Sequence, residues 1–130
     1  MEKMRFASDS KWEDIVGYSR AIRVGNVIEI SGTVAVDAEN QIQGEGNAFG
    51  QTLFILKKII SFVEKAGGKK EDIIRTRIFV TDISKWEEVG LAHGEIFREI
   101  KPVTTMIEVK SLISKEYLVE IEASAIVQES

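Results

Sequence analysis

The sequence predicts one α+β domain in which two amphipathic helices pack on one face of a single sheet. Three observations carry that expectation. Residues 47 to 66 place apolar side chains at helical spacing, and a second such stretch runs from Ser84 to Pro102. Segments rich in β-formers precede, separate and follow the two helices. The length, 130 residues at 44% hydrophobic content, suits one core and one domain spanning 1 to 130.

Residues 4 to 8 are read as a short first strand. Tyr18 to Val24 and Val27 to Ser31 are β-rich and flank Gly25-Asn26, a pair suited to the positive φ angles of a hairpin turn. Gly32 and the polar stretch Asp37 to Gly46 make a loop. The first long helix shows Phe49, Leu53, Leu56, Ile60 and Val63 on one stripe, and Gly67-Gly68 ends it. Asp72 to Val80 is a strand, with Ile74, Thr76, Ile78 and Val80 on one face and Arg75, Arg77 and Phe79 on the other. Ser84 and Glu87 fit a capping box opening the second helix, which is expected to bury Trp86, Val89, Ile96, Phe97 and Ile100. Lys101-Pro102 stops it, and strands at about 103 to 110 and 117 to 127 follow.

Two helices cover only one sheet face, so the other is either polar or covered by another copy of the chain. Formal net charge is −4 with scattered basic residues, which argues against a nucleic-acid partner. Lys65, Lys69 and Lys70 read as a solvated corner beside Glu71 and Asp72. No stretch has the apolar length to span a bilayer, and no membrane partner is expected. Met1 to Arg5 has no apolar segment behind it, so a secretory signal is not expected. The absence of cysteine removes disulfides, thiol nucleophiles and thiolate metal sites, and points to the cytoplasm.

Leu118 to Val127 is the most unusual stretch. Glu120, Glu122 and Ser124 alternate with Val119, Ile121, Ala123 and Ala125, so two carboxylates project from one face of a strand. Glu is depleted in strands, and a buried carboxylate must be paired, hydrogen-bonded or protonated. The plain reading of this face, Glu120 first, is an exposed sheet surface or an intersubunit ion pair, whereas Glu122 also reads as a general base or water-orienting carboxylate whose pKa desolvation raises. His93, the single histidine, lies beside the buried stripe of its helix and reads as packed or hydrogen-bonded. One His and no Cys leave a transition-metal site without its usual ligands. The glycines at 44, 46 and 50 lack phosphate-loop spacing. Trp86 reads as core, and Trp12 as surface or as cover for a neighbour.

Taken in order, Gly17-Tyr18-Ser19-Arg20-Ala21, Val24-Gly25-Asn26, Ile30-Ser31-Gly32, Gln51-Thr52, Val63 to Gly67, Phe79 to Asp82, Pro102, Glu108-Val109 and Val119 to Ala123 resemble the reactive-intermediate-deaminase family (Rid, YjgF or endoribonuclease L-PSP). The resemblance covers residues 17 to 127. It implies a chorismate-mutase-like fold with one mixed sheet, a homotrimer, and a small-molecule cleft between neighbouring subunits. Family members that deaminate amino-acid-derived enamines and imines carry an arginine two residues after that Pro, where it clamps the substrate carboxylate. Here the position is Thr104, and the family's helix Asn is Gly90. A guanidinium fork makes two charge-assisted hydrogen bonds worth about 1.5–3 kcal/mol each, and a threonine hydroxyl replaces neither. Arg20 or Arg77 is the substitute cation within reach. The resemblance assigns Glu122 to orient water and gives Tyr18 and Ser31 to the cleft. Arg20, Thr104, Thr105, Met106 and Glu120 complete the expected ligand contacts. The function so implied is binding of a small molecule, with cofactor-free hydrolysis of an enamine, imine or related metabolite in place of ordinary amino-acid imine deamination. The other reading is a non-catalytic metabolite-binding or protein-interaction module.

Overall fold

A computed structural model describes residues 1–128. Six strands, β1 (Lys3–Phe6), β2 (Ala21–Val24), β3 (Val27–Thr33), β4 (Ile73–Val80), β5 (Val103–Glu108) and β6 (Val119–Ile126), form one sheet in the order β1-β2-β3-β6-β4-β5. The sheet is mixed. β4 and β5 run parallel, as a helical crossover requires, and every other pair is antiparallel. Helices α1 (Trp12–Val16), α2 (Ala48–Lys65) and α3 (Trp86–Phe97) complete the chain. The expected arrangement of two long helices on one sheet face holds: α2 packs on β3 and β6, and α3 lies against α2.

Period-two burial decides which face the helices take. Ile28 and Ile30, Thr76, Ile78 and Val80, and Val119, Ile121, Ala123 and Ala125 are all buried beneath them. Complete burial of an Ile, Val or Leu side chain contributes roughly 1.5–3 kcal/mol, so this layer sets the strand register. Facing the other way are Ile22, Glu29, Arg75, Arg77, Phe79, Glu120, Glu122 and Ser124, all half-buried or exposed.

Four expectations are corrected. The stripe of α2 is rotated, so that Gln51, Thr52, Ile55, Ile59 and Phe62 are buried with Leu56 and Val63, while Phe49, Leu53 and Ile60 lie at its margin. Two buried polar residues disguised that stripe. Thr52 satisfies its hydroxyl on the Ala48 carbonyl, 2.8 Å away. Gln51 is fully buried because it holds the segment before β6: its Nε2 donates to the Gly44 and Glu116 carbonyls, and its Oε1 accepts from Leu118 N–H. Second, Ser84 donates to Asp82 and makes no capping box; Asp82 caps a 3-10 turn over Ile83–Lys85, from which α3 continues. Third, that turn rotates Trp86 outward, leaving it 55% exposed. Fourth, a register shift between Ile73 and Arg75 turns Ile74 to the surface. Trp12 is a surface residue on α1, a helix that the sequence did not signal.

Candidate functional site

The open sheet face carries a concavity of about 470 Å³ lined by Arg5, Tyr18, Ser19, Ile22, Glu29, Ser31, Arg77 and Glu122, among others. Arg77 and Glu122 are cross-strand partners on β4 and β6, and their side chains form an ion pair of 3.5 Å. Both are well exposed, at 45% and 37%, so the pair adds little to stability. Beside them the Ser124 hydroxyl donates to Glu29 Oε1 at 2.6 Å. The Ser31 hydroxyl is already engaged, donating to the Ser19 carbonyl at 2.6 Å, and so fixes the loop that carries Tyr18.

At one end of this face β3 departs from regular pairing. Ile30 opposes Ala123 while Thr33 opposes Ile121, so three steps on β3 match two on β6. The extra residue brings Gly32 under the side chain of Glu120 so closely that any side chain at position 32 would collide with the carboxylate. Glu120 is consequently half-buried. Burial raises its pKa above the usual glutamate value, the Arg20 guanidinium pulls it back, and the neighbouring Glu122 pushes it up.

Arg20 ties this corner together. Its Nη2 donates to the Gly32 carbonyl at 2.8 Å, its guanidinium lies 5.4 Å from the centre of the Tyr18 ring, and its Nε faces Glu13 at 3.9 Å. Glu13, only 6% exposed, also accepts from the Ser8 backbone N–H and hydroxyl. Burial lowers the pKa of Lys58, and the same guanidinium lowers it further. A cation placed here stabilises negative charge on Glu120 and on anything bound beside it.

A separate polar cluster lies on the helix side of the sheet edge. Thr104 pairs with Thr76 across the parallel strands, and their hydroxyl oxygens are 2.8 Å apart. His93 Nε2 lies 2.9 Å from Thr76 Oγ1 and 3.4 Å from Thr104 Oγ1. The imidazole packs on Phe97 with ring centres 4.6 Å apart, and burial lowers its pKa. The sequence reading of His93 as a hydrogen-bonded residue matches this geometry.

Tyr18, Ser31 and Glu122 thus line one concavity, while Arg20 lies against Tyr18 and Glu120 against Gly32 outside its lining. Thr105 projects on the same face, in register with Arg77. Thr104 and Met106 project on the other, Met106 against the core, and do not meet the concavity within one chain. Arg77 is occupied by Glu122. Sequence reasoning did not find Glu13, Arg5 or the role of Gly32. The bulge that makes Gly32 important has no signal beyond a glycine in a strand.

This layout, a mixed sheet with helices on one face and an ionisable concavity on the other, defines a small α+β protein. Residues 9–127 match the family model described as Endoribonuclease L-PSP. The crystal structure of Rv2704 from Mycobacterium tuberculosis, a member of the YjgF/YER057c/UK114 family, is 41% identical, with a TM-score of 0.88 over 97% of this chain and 100% of that one. YyfA from Yersinia pestis, of the conserved Rid protein family, is 30% identical, with a TM-score of 0.85 over 97% of this chain and all of that one. A RutC family protein of Pyrococcus abyssi is 32% identical over 108 residues, 83% of this chain and 84% of its own. The chain belongs to the Endoribonuclease L-PSP family, the RutC, YjgF or Rid group, as its sequence pattern implied. Among the described residues no helix is long and apolar enough to cross a membrane.

Proposed function

We propose that three copies of this chain close against one another and that the clefts between them bind a small metabolite, hydrolysing the C=N bond of an imine, including the imine that an enamine becomes when its proton moves from nitrogen to carbon. In that reaction water adds to the imine carbon, the nitrogen leaves as ammonia or an amine, and a carbonyl remains. The chemistry asks for a positioned water, a base to take its proton and a donor to the nitrogen. Glu120 supplies the base. The observation that supports this is its half-buried carboxylate, packed on Gly32 with its pKa raised by desolvation. Glu122, which the family resemblance favoured, is more exposed and already paired with Arg77, so it suits the positioning of ligand and strand better than proton transfer. Tyr18, held over Arg20, covers the end of the concavity. The cysteine-free composition supports a cytoplasmic setting.

The test is a steady-state assay on imines freshly generated from several amino acids. Glu120→Gln is expected to lower kcat/KM by about 10²–10⁴-fold, the usual contribution of general base catalysis, and Glu122→Gln by much less. Equal rates for wild type and Glu120→Gln remove the reading. A ligand that binds and is recovered unchanged from every assay would establish the non-catalytic alternative.

A further inference from the structure

Helix α1 is built inside out. Trp12, Ile15 and Val16 are exposed, while its acid Glu13 is the one buried residue. A carboxylate taken out of water is costly unless charge and hydrogen bonds are returned to it, so the inward turn of Glu13 calls for a partner that the helix does not supply. We propose that Glu13 is a positioning residue for Glu120: by holding Arg20 it sets how much positive charge reaches the Glu120 carboxylate. In the imine hydrolysis proposed above, on which this role rests, Glu120 is the base and Glu13 adjusts it from a distance.

The connection runs through four segments of the chain. Ser8 donates to the Glu13 carboxylate from its backbone N–H at 3.0 Å and from its hydroxyl. The Glu13 carbonyl accepts from the Gly17 and Tyr18 N–H groups, each at 2.9 Å, which ties the acid to a residue lining the concavity. Its Oε2 faces Arg20 Nε at 3.9 Å, too long for a hydrogen bond, and that Nε is buried with no hydrogen-bond partner among the described residues. The far end of the guanidinium donates through Nη2 to the Gly32 carbonyl at 2.8 Å. The Glu120 carboxylate rests on the α-carbon of the same glycine. Arg20 therefore stands between two carboxylates, and among the described residues its ion pair is with Glu13.

Few other charges act here. Glu120 feels Arg20 from the segment before β2 and Glu122 from its own strand, and Arg77 of β4 is held by Glu122. Glu13 has Lys58 of α2 as its second cationic neighbour, whose ammonium donates to the Val36 carbonyl at 2.9 Å and also feels Asp37. Glu13 is not among the charges that move Glu120 directly, so its influence passes through the guanidinium. With the Glu13 charge removed, the Arg20 cation is uncompensated yet still tethered at Gly32 and Tyr18, and more of its field falls on Glu120.

The test is a double-mutant cycle on the full-length protein, read by NMR of glutamate carboxyl carbons, with the Glu120 signal identified by its loss in Glu120→Gln. Glu13→Gln keeps the side-chain shape and an acceptor for Ser8 but removes the charge, and should lower the pH at which Glu120 titrates. In the Arg20→Met background the same change should move nothing. Ser8→Ala, which loosens Glu13 without discharging it, should leave the titration in place. The acid limb of kcat/KM should follow the carboxylate: below the wild-type limb Glu13→Gln should be the faster enzyme, and on the plateau the slower, because its base is weaker. Glu13→Asp withdraws the carboxylate by one methylene and should shift Glu120 in the same direction by less, which serves if amide spectra show that Glu13→Gln does not fold. The proposal is overturned if Glu120 titrates in Glu13→Gln at the wild-type pH or above it, if the shift persists without Arg20, or if Ser8→Ala reproduces it. Imine hydrolysis that is absent while the NMR shift is intact would remove the assigned reaction and leave the action of Glu13 on Glu120 standing.

Discussion

The carboxylate of Glu120 on β6 rests against the α-carbon of Gly32 on β3, and the β3 bulge exists at the point where they meet. Gly32→Ala should therefore push the carboxylate from its place. Because only the movable end of the Glu120 side chain stands in the way, the expected cost in stability is small, and the main effect is loss of the hydrolytic activity. Thermal unfolding and the imine assay, run on the same preparation, check both.

Because burial raises the Glu120 pKa, its basic form should appear only above the ordinary glutamate value of 4.5. The acid limb of kcat/KM should lie above that pH and vanish in Glu120→Gln. Stability carries the opposite sign. Between 4.5 and the folded-state pKa the native protein holds the proton that the unfolded chain has lost, so this group's contribution to stability falls as pH rises through the window. Denaturant unfolding of wild type and Glu120→Gln from pH 4 to 8 would show whether the variant gains relative stability towards neutral pH.

Arg20 opposes that shift, so Arg20→Met should move the acid limb of activity further upward. It also leaves the buried Glu13 without its cation and Gly32 without a donor. A loss of about 1–3 kcal/mol follows from the unpartnered groups, measurable by chemical denaturation.

Gln51→Ala removes two hydrogen bonds between α2 and the chain before β6 and a third to the Gly44 carbonyl in the loop before α2, and leaves a buried gap. A destabilisation of about 2–4 kcal/mol is expected. Hydrogen exchange should speed up at Leu118 ahead of the rest of β6, since its N–H donates to Gln51.

His93 carries its own pH signature. Burial lowers its folded-state pKa, so between that value and 6.5 the unfolded chain binds a proton that the native state refuses. Stability should fall as pH drops through this window. His93→Phe, which has nothing to titrate, should lose that dependence, and the ring nitrogen shifts of wild type give the folded pKa directly.

Period and turn chemistry carried most of the fold into the sequence. The hairpin at Gly25-Asn26, the glycine end of α2 and the alternation in β6 are local signals with one physical meaning each. What escaped was polar burial. Gln51 and Thr52 occupy core positions because distant backbone groups, or their own helix turn, satisfy them, and no local rule foresees a partner 65 residues away. The same holds for Glu13 and for Trp86, whose direction depends on a 3-10 turn that Asp82 dictates. At the site, strand parity placed Glu120 and Glu122 on one face, and the sequence reading gave the catalytic role to Glu122. A bulge on the neighbouring strand and an arginine from a third segment distinguish the two.

The sheet order sets a timetable for biosynthesis. β6 is the last strand made, yet it lies in the middle, joined to β3 on one side and β4 on the other. A nascent chain whose residues 119–126 are still inside the ribosome holds two half-sheets with a gap between them and their apolar rows open to other molecules. Closure in one late step places the glutamate-bearing strand last, so a chain that lacks β6 lacks Glu120 and Glu122 as well as the pairing that joins β3 to β4.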